Sequence, residues 1–184
     1  MQLPRSLLTR FALPALVLTS LAGSPAVAAV DGTTPSALDS ANRSIDAGDP
    51  KGAIDLLDIH LAAHPDDRDA KFARAVALSR LGKTDEAIEG FIKLIKEAPQ
   101  FAEPYNNLAA IYADRGEFGK ARAALEIAVA RSPGYQVAWA NLGDVQLALA
   151  QQAYLNAASL NKGDAAIRTR LKLLESIRPL QPAR

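Results

Sequence analysis

Between residues 102 and 135, apolar and small side chains recur at spacings of three and four. Tyr105, Leu108, Ala109 and Tyr112 fall on one face of a helix. Gly116 breaks the run. A second stripe follows at Phe118, Ala121, Leu125, Ala128 and Val129, and Pro133 closes it. The pattern predicts two helices joined by a short turn. It returns at an interval of 34 residues: Pro133 with Pro99 and Pro65, Gly116 with Gly82 and Gly48, and Ala121 with Ala87 and Ala53. Three landmarks recurring three times in one register exclude a chance amphipathic hairpin and mark an internal repeat.

The first repeat spans 34–67. Thr34-Pro35 reads as an N-cap followed by proline in the first helical position. Ala37, Leu38, Ala41 and Ile45 are the apolar positions of a helix otherwise polar, as suits a terminal repeat with one neighbour. Gly48 marks a turn, and Asp49-Pro50 starts a second helix with a stripe at Ala53, Ile54, Leu57 and Leu61. The second repeat, 68–101, uses Ala70, Phe72, Ala75, Val76 and Leu78. After Gly82 come Ala87, Ile88, Phe91, Leu94 and Ile95, with Thr84 as the expected N-cap. In the third repeat Pro104 sits in the first turn, where a missing N–H costs nothing.

A fourth, shortened repeat at 136–164 opens with Trp139-x2-Leu142-Gly143. The turn glycine expected at 150 is Ala150. Lys162 stands where the closing proline belongs, five residues early, and Ala157 and Leu160 precede it. The run 138–160 lacks proline, and its one glycine is Gly143. It predicts either a single long helix or an abrupt turn near 150–152. Asp164 then caps a last helix over 165–177, with Ile167, Leu171, Leu174 and Ile177 on one face and Arg168, Arg170, Lys172 and Glu175 off it. Pro179 and Pro182 end it, leaving 179–184 as a frayed tail.

The order aromatic-x2-Leu-Ala-x2-Tyr, then Ala-x3-Leu, then Pro across Tyr105–Pro133 resembles the tetratricopeptide repeat (TPR). The resemblance implies an all-α fold: a short right-handed α-solenoid of about four helix-turn-helix repeats with a C-terminal capping helix. It also implies a concave groove lined by the first helix of each repeat, taking an extended or helical peptide. Carried over position by position, groove residues would be Asp69, Phe72, Val76 and Arg80 in repeat two. Repeat three would add Glu103, Asn106, Asn107, Ala110 and Asp114, and repeat four Ala140, Asn141 and Asp144. Asn107 and Asn141 share a repeat position, and amides there can donate to and accept from a peptide backbone. Phe72 would be an apolar pocket wall. The subfamily that clamps a partner's C-terminal carboxylates needs other residues: its positions hold Leu38, Asn42, Asp69, Ala73 and Asn107, of which Asn42 alone fits. Tyr105, Tyr112 and Trp139 are expected to fill gaps, while Ala75, Ala87, Ala109, Ala121 and Gly143 let helices approach.

Residues 1–29 have a different character. Arg5 and Arg10 precede the apolar run FALPALVLTSLAG, and Ala26-Val27-Ala28-Ala29 offers small residues. This is the pattern of a secretory signal peptide, with a short linker at 30–33 after it. Cleavage near Ala28 or Ala29 would leave 19 cations against 20 acids, since only Arg5 and Arg10 are lost, so no basic field would remain for nucleic acid. The chain has no cysteine, hence no disulfide and no residue for a lipid anchor. These features imply a periplasmic or secreted protein without stable membrane insertion after cleavage.

The search for catalytic groups finds little. His60 and His64, four apart on one helix, could make two ligands of a metal, with Asp55, Asp58, Asp66 or Asp67 as a third. Stabilisation by the C-terminal end of the helix dipole is the simpler account. Asp66-Asp67 and Asp85-Glu86 sit at helix starts, where acids cap. There is no nucleophile elbow and no phosphate-binding glycine loop. The sequence therefore predicts a non-enzymatic adaptor without cofactor or metal. It would bind a segment of another envelope protein, in envelope assembly, as a monomer or weak homodimer. The competing reading is a self-associating structural module of the cell envelope.

Overall fold

The computed structural model describes residues 36–161 and 163–177. Among them are eight helices and no strand: α1 (Ala37–Asp46), α2 (Pro50–Ala63), α3 (Arg68–Arg80), α4 (Thr84–Glu97), α5 (Ala102–Asp114), α6 (Phe118–Arg131), α7 (Gln136–Leu160) and α8 (Ala165–Ser176). The expected signal peptide, the linker, Thr34-Pro35, Lys162 and the tail at 179–184 lie outside the described residues. The chain divides into two compact units, with the boundary in sequence between Pro99 and Gln100.

The first unit holds α1–α4. Ser36 Oγ accepts from the Asp39 N–H at 3.0 Å and caps α1. Gly48 turns the chain with φ 81°, which a residue with a Cβ rarely adopts, and Asp49 N–H then bonds to Ser44 O at 2.8 Å. Asp49 caps α2 through Gly52 N–H at 2.9 Å, with Pro50 first in the helix. Ala41 and Ile45 of α1 and Ala53 and Leu57 of α2 are fully buried. Gly82, φ 82°, repeats the turn between α3 and α4. Gly90 lets α4 approach α3 closely, since a Cβ there would stand 3.1 Å from Ala75 Cβ. Thr84 is not the cap: it is the first helical residue of α4, its hydroxyl donates to Gly82 O, and Lys83 precedes it with no side-chain cap bond.

The second unit holds α5–α8. Gly116, φ 73°, makes the third turn of the same kind. Ala121, Leu125 and Ala128 of α6 are buried under α5. The 25 residues of α7 form one continuous helix through Ala150, which propagates the helix where a glycine would have broken it. Ala138, Leu142 and Val145 are its buried residues, all in its first half. Asp164 caps α8 through the N–H groups of Ala166 and Ile167 at 2.9 and 3.1 Å. α8 packs on α7 with Ile167, Leu171 and Leu174 half-buried, while Ile177 lies past its end and is exposed. Trp139 does not fill a gap. It is 51% exposed, and its indole N–H donates to Pro133 O at 2.9 Å.

Candidate functional site

In the first unit α3 places Asp69 half-buried and Arg80 exposed. Asp69 Oδ1 accepts from Arg68 Nε at 3.0 Å. Phe72 and Val76 are buried, and the Phe72 ring lies 5.9 Å from that of Phe91 across the α3–α4 contact. Phe72 is thus core packing rather than the wall of an open pocket. Helix periodicity identified the stripe it belongs to but not that the adjoining face is covered as well.

In the second unit α5 carries Asn106 and Asn107, both buried, with Ala110 and Asp114 half-buried. α7 carries Asn141 and Asp144, also half-buried. The two asparagines that share a repeat position do not act alike. Asn107 Nδ2 donates to Glu103 O at 3.0 Å, a local bond to its own helix. Asn141 Nδ2 instead donates to Asn106 Oδ1 at 2.8 Å. The amide pair linking α5 to α7 is therefore 106 with 141, an offset of 35 residues. Exact repeat spacing concealed it, because side chains of neighbouring first helices need not meet at equivalent repeat positions.

The ionisation of Asp114 is strongly perturbed. Burial penalises its charge and raises the carboxyl to about 6. Tyr135, which the sequence reading passed over, is buried just before α7. Its hydroxyl has no hydrogen-bond partner, and burial, with the charge of Glu103, pushes the phenol above its ordinary value. The signal for it was an aromatic residue directly after the Pro133-Gly134 turn.

The histidines pair locally. His60 Nε2 lies 2.7 Å from Asp67 Oδ2, and the His60 and His64 rings are 4.8 Å apart. Asp67 also caps α3, Oδ1 accepting the N–H groups of Asp69 and Ala70 at 3.0 Å each. The pair therefore ties the end of α2 to the start of α3. No group of three or more metal-ligating side chains occurs among the described residues. A cleft of about 390 Å³ between α2, α3 and α4 has an apolar floor at Leu61, Leu78 and Leu94. Its cations are engaged, Lys71 with Glu97 at 2.7 Å, Lys93 with Glu97 at 3.9 Å and Arg74 with Asp58, so it offers no open anion site.

Comparison with known proteins is consistent with this architecture. Tetratricopeptide repeat family models match residues 38–103 and 102–135. No curated protein matches the chain. Among solved structures, the first TPR domain of human RPAP3 is 20% identical, with a TM-score of 0.58 over 64% of this chain and 92% of that one. A thermophilic TPR protein of Thermus thermophilus is 21% identical, with a TM-score of 0.57 over 75% of this chain and 79% of that one. The second TPR domain of human RPAP3, solved in complex with an HSP70 peptide, is 20% identical, with a TM-score of 0.54 over 60% and 92%.

Proposed function

The chain belongs to the tetratricopeptide repeat family, and we propose that it is a non-enzymatic scaffold that holds a peptide or helical segment of another protein. The observation that carries this reading is the amide pair of Asn106 and Asn141, which joins the first helices α5 and α7. Side-chain amides match a peptide backbone, because each both donates and accepts. Asp114 on the same helix adds a preference. Its carboxyl, raised by burial, gains most from a cation, so the segment held in the second unit carries a lysine or arginine opposite it. A related fold that takes a peptide, the RPAP3 domain with its HSP70 segment, supports peptide binding in general. A carboxylate clamp is not part of the proposal, since Asn42 is its one matching residue.

The location belongs to the proposal too. The basic, apolar and small-residue order of 1–29 supports export to the bacterial periplasm and an envelope partner. A photoreactive residue at Ala110, between Asn106 and Asp114, tests both parts, with Lys172 on the exposed face of α8 as control. The expected result is one distinct envelope protein captured from Ala110 alone and lost when Asn141→Ala is added, on a chain whose N-terminus follows Ala28 or Ala29. Capture of nothing but its own chain from Ala110 would refute the scaffold reading. An intact N-terminus in the cytoplasm would refute the location.

A further inference from the structure

Trp139 is 51% exposed, whereas Tyr105, its counterpart one repeat earlier, is 8% exposed. The cause lies in α7. After α5, Gly116 turns the chain back, α6 packs against α5, and Tyr105 is buried. After Trp139 no turn comes. Ala157, the counterpart of the fully buried Ala128, lies 18 residues further along one continuous helix, about 27 Å at 1.5 Å per residue. It cannot fold back onto Trp139 of its own chain.

The surface left open has the character of an interface. Trp139, Gln146, Ala153 and Leu160 recur every seven residues and all are exposed. Asp144 is the single charged residue of α7 and lies off this stripe. No described helix is long and apolar enough to cross a membrane, and depletion of charge is what marks the core of a protein–protein contact. A seven-residue recurrence is the period at which two helices pack along a shared seam.

We propose that the occupant is α7 of a second copy, paired antiparallel about a two-fold axis midway between Gln146 and Ala150. In that register the stripe packs against positions 136, 143, 150 and 157 of the second copy, the other half of the same seam. Trp139 meets Ala157, Gly143 meets Ala153, and Gln146 meets Ala150, so each Trp139 finds a small residue, while Leu160 meets Gln136. The contact is isologous, each copy supplying to the other the cover that the missing turn denies it. α8 widens the face. Arg170 lies over the Tyr154 ring, 5.9 Å from its centroid, and Leu173, one turn on from Arg170, is 61% exposed. About 37 Å of α7 and about 18 Å of α8, each about 10 Å wide, give roughly 550 Å² per copy and about 1,100 Å² in total, just above the ~1,000 Å² that a specific interface needs.

The mass of the full chain in solution tests this. The native protein is expected at twice its chain mass at micromolar concentration. Ala153→Glu, which puts an unpaired carboxylate into the seam against Gly143 of the second copy, should halve that mass, and Gln152→Glu, on the opposite exposed face, should leave it unchanged. Because the chain has no cysteine, a Trp139→Cys, Ala157→Cys double variant should oxidise to a covalent dimer, while Trp139→Cys alone should not. This decides the matter should Ala153→Glu lose its helical circular dichroism. A monomeric native protein, its α7 face bare or covered by residues 1–35, would overturn the proposal. So would a dimer that survives Ala153→Glu with its helices intact, or an absent crosslink.

Discussion

Asp114 shows how one side chain can set a pH response. Its carboxyl is raised by burial to about 6 from 3.8. Between those values the folded chain holds a proton that the unfolded chain has released, so the contribution to stability falls as pH rises from about 4 to about 6. Asp114→Asn removes the penalty, and the variant should be more stable than the parent at neutral pH. Discounted for the water that reaches this half-buried group, the gain is about 1–2 kcal/mol, and it should vanish near pH 4. Urea titrations at both pH values check it, and a gain of equal size at pH 4 would refute the cause. Tyr135 poses a second residue-scale test. Its hydroxyl is buried without a partner, so Tyr135→Phe should leave stability unchanged or raise it by up to about 1 kcal/mol. A loss larger than that in thermal melts would mean the hydroxyl is bonded.

At the scale of the element, close approach between helices depends on small residues at fixed places. Ala121 is fully buried where α6 crosses α5. Ala121→Leu should destabilise by about 1–3 kcal/mol through overpacking, and an unchanged melting temperature would show that the repeat register is wrong. Such features were open to reading from the sequence because local chemistry dictates them. Gly48, Gly82 and Gly116 stand where φ is positive, and Asp49, Asp67 and Asp164 stand where helix N–H groups need an acceptor. Periodicity names a helix face but not the neighbour that meets it. Phe72 therefore read as groove and proved to be core, while Trp139 read as core and proved to be surface. The site was legible only in outline. A spacing of 34 pointed to Asn107 and Asn141, but the bond runs from Asn141 to Asn106, because lateral packing of helices is not registered by sequence distance.

At the scale of the molecule, five missing residues alter what the second unit can be. Restoring a five-residue turn with a glycine after Ala150 should split α7 and let its second half fold back over Trp139. The indole emission of this single-tryptophan chain should then shift to shorter wavelength, and the mass in solution should drop to that of one chain. Unchanged emission would show that the missing turn is not what exposes Trp139.

α8 has no buried residue. A helix held by so little opens at almost no cost, so its amide protons exchange with solvent far sooner than those of α5 or α6. The pairing of two α7 helices would place α8 beside a second copy, and opening would then have to disrupt that association first. Deuterium uptake by α8, like that of α7, would slow as protein concentration rises, while uptake by α1–α4 would not change. The lifetime of this last helix becomes a property of the population of chains rather than of the fold.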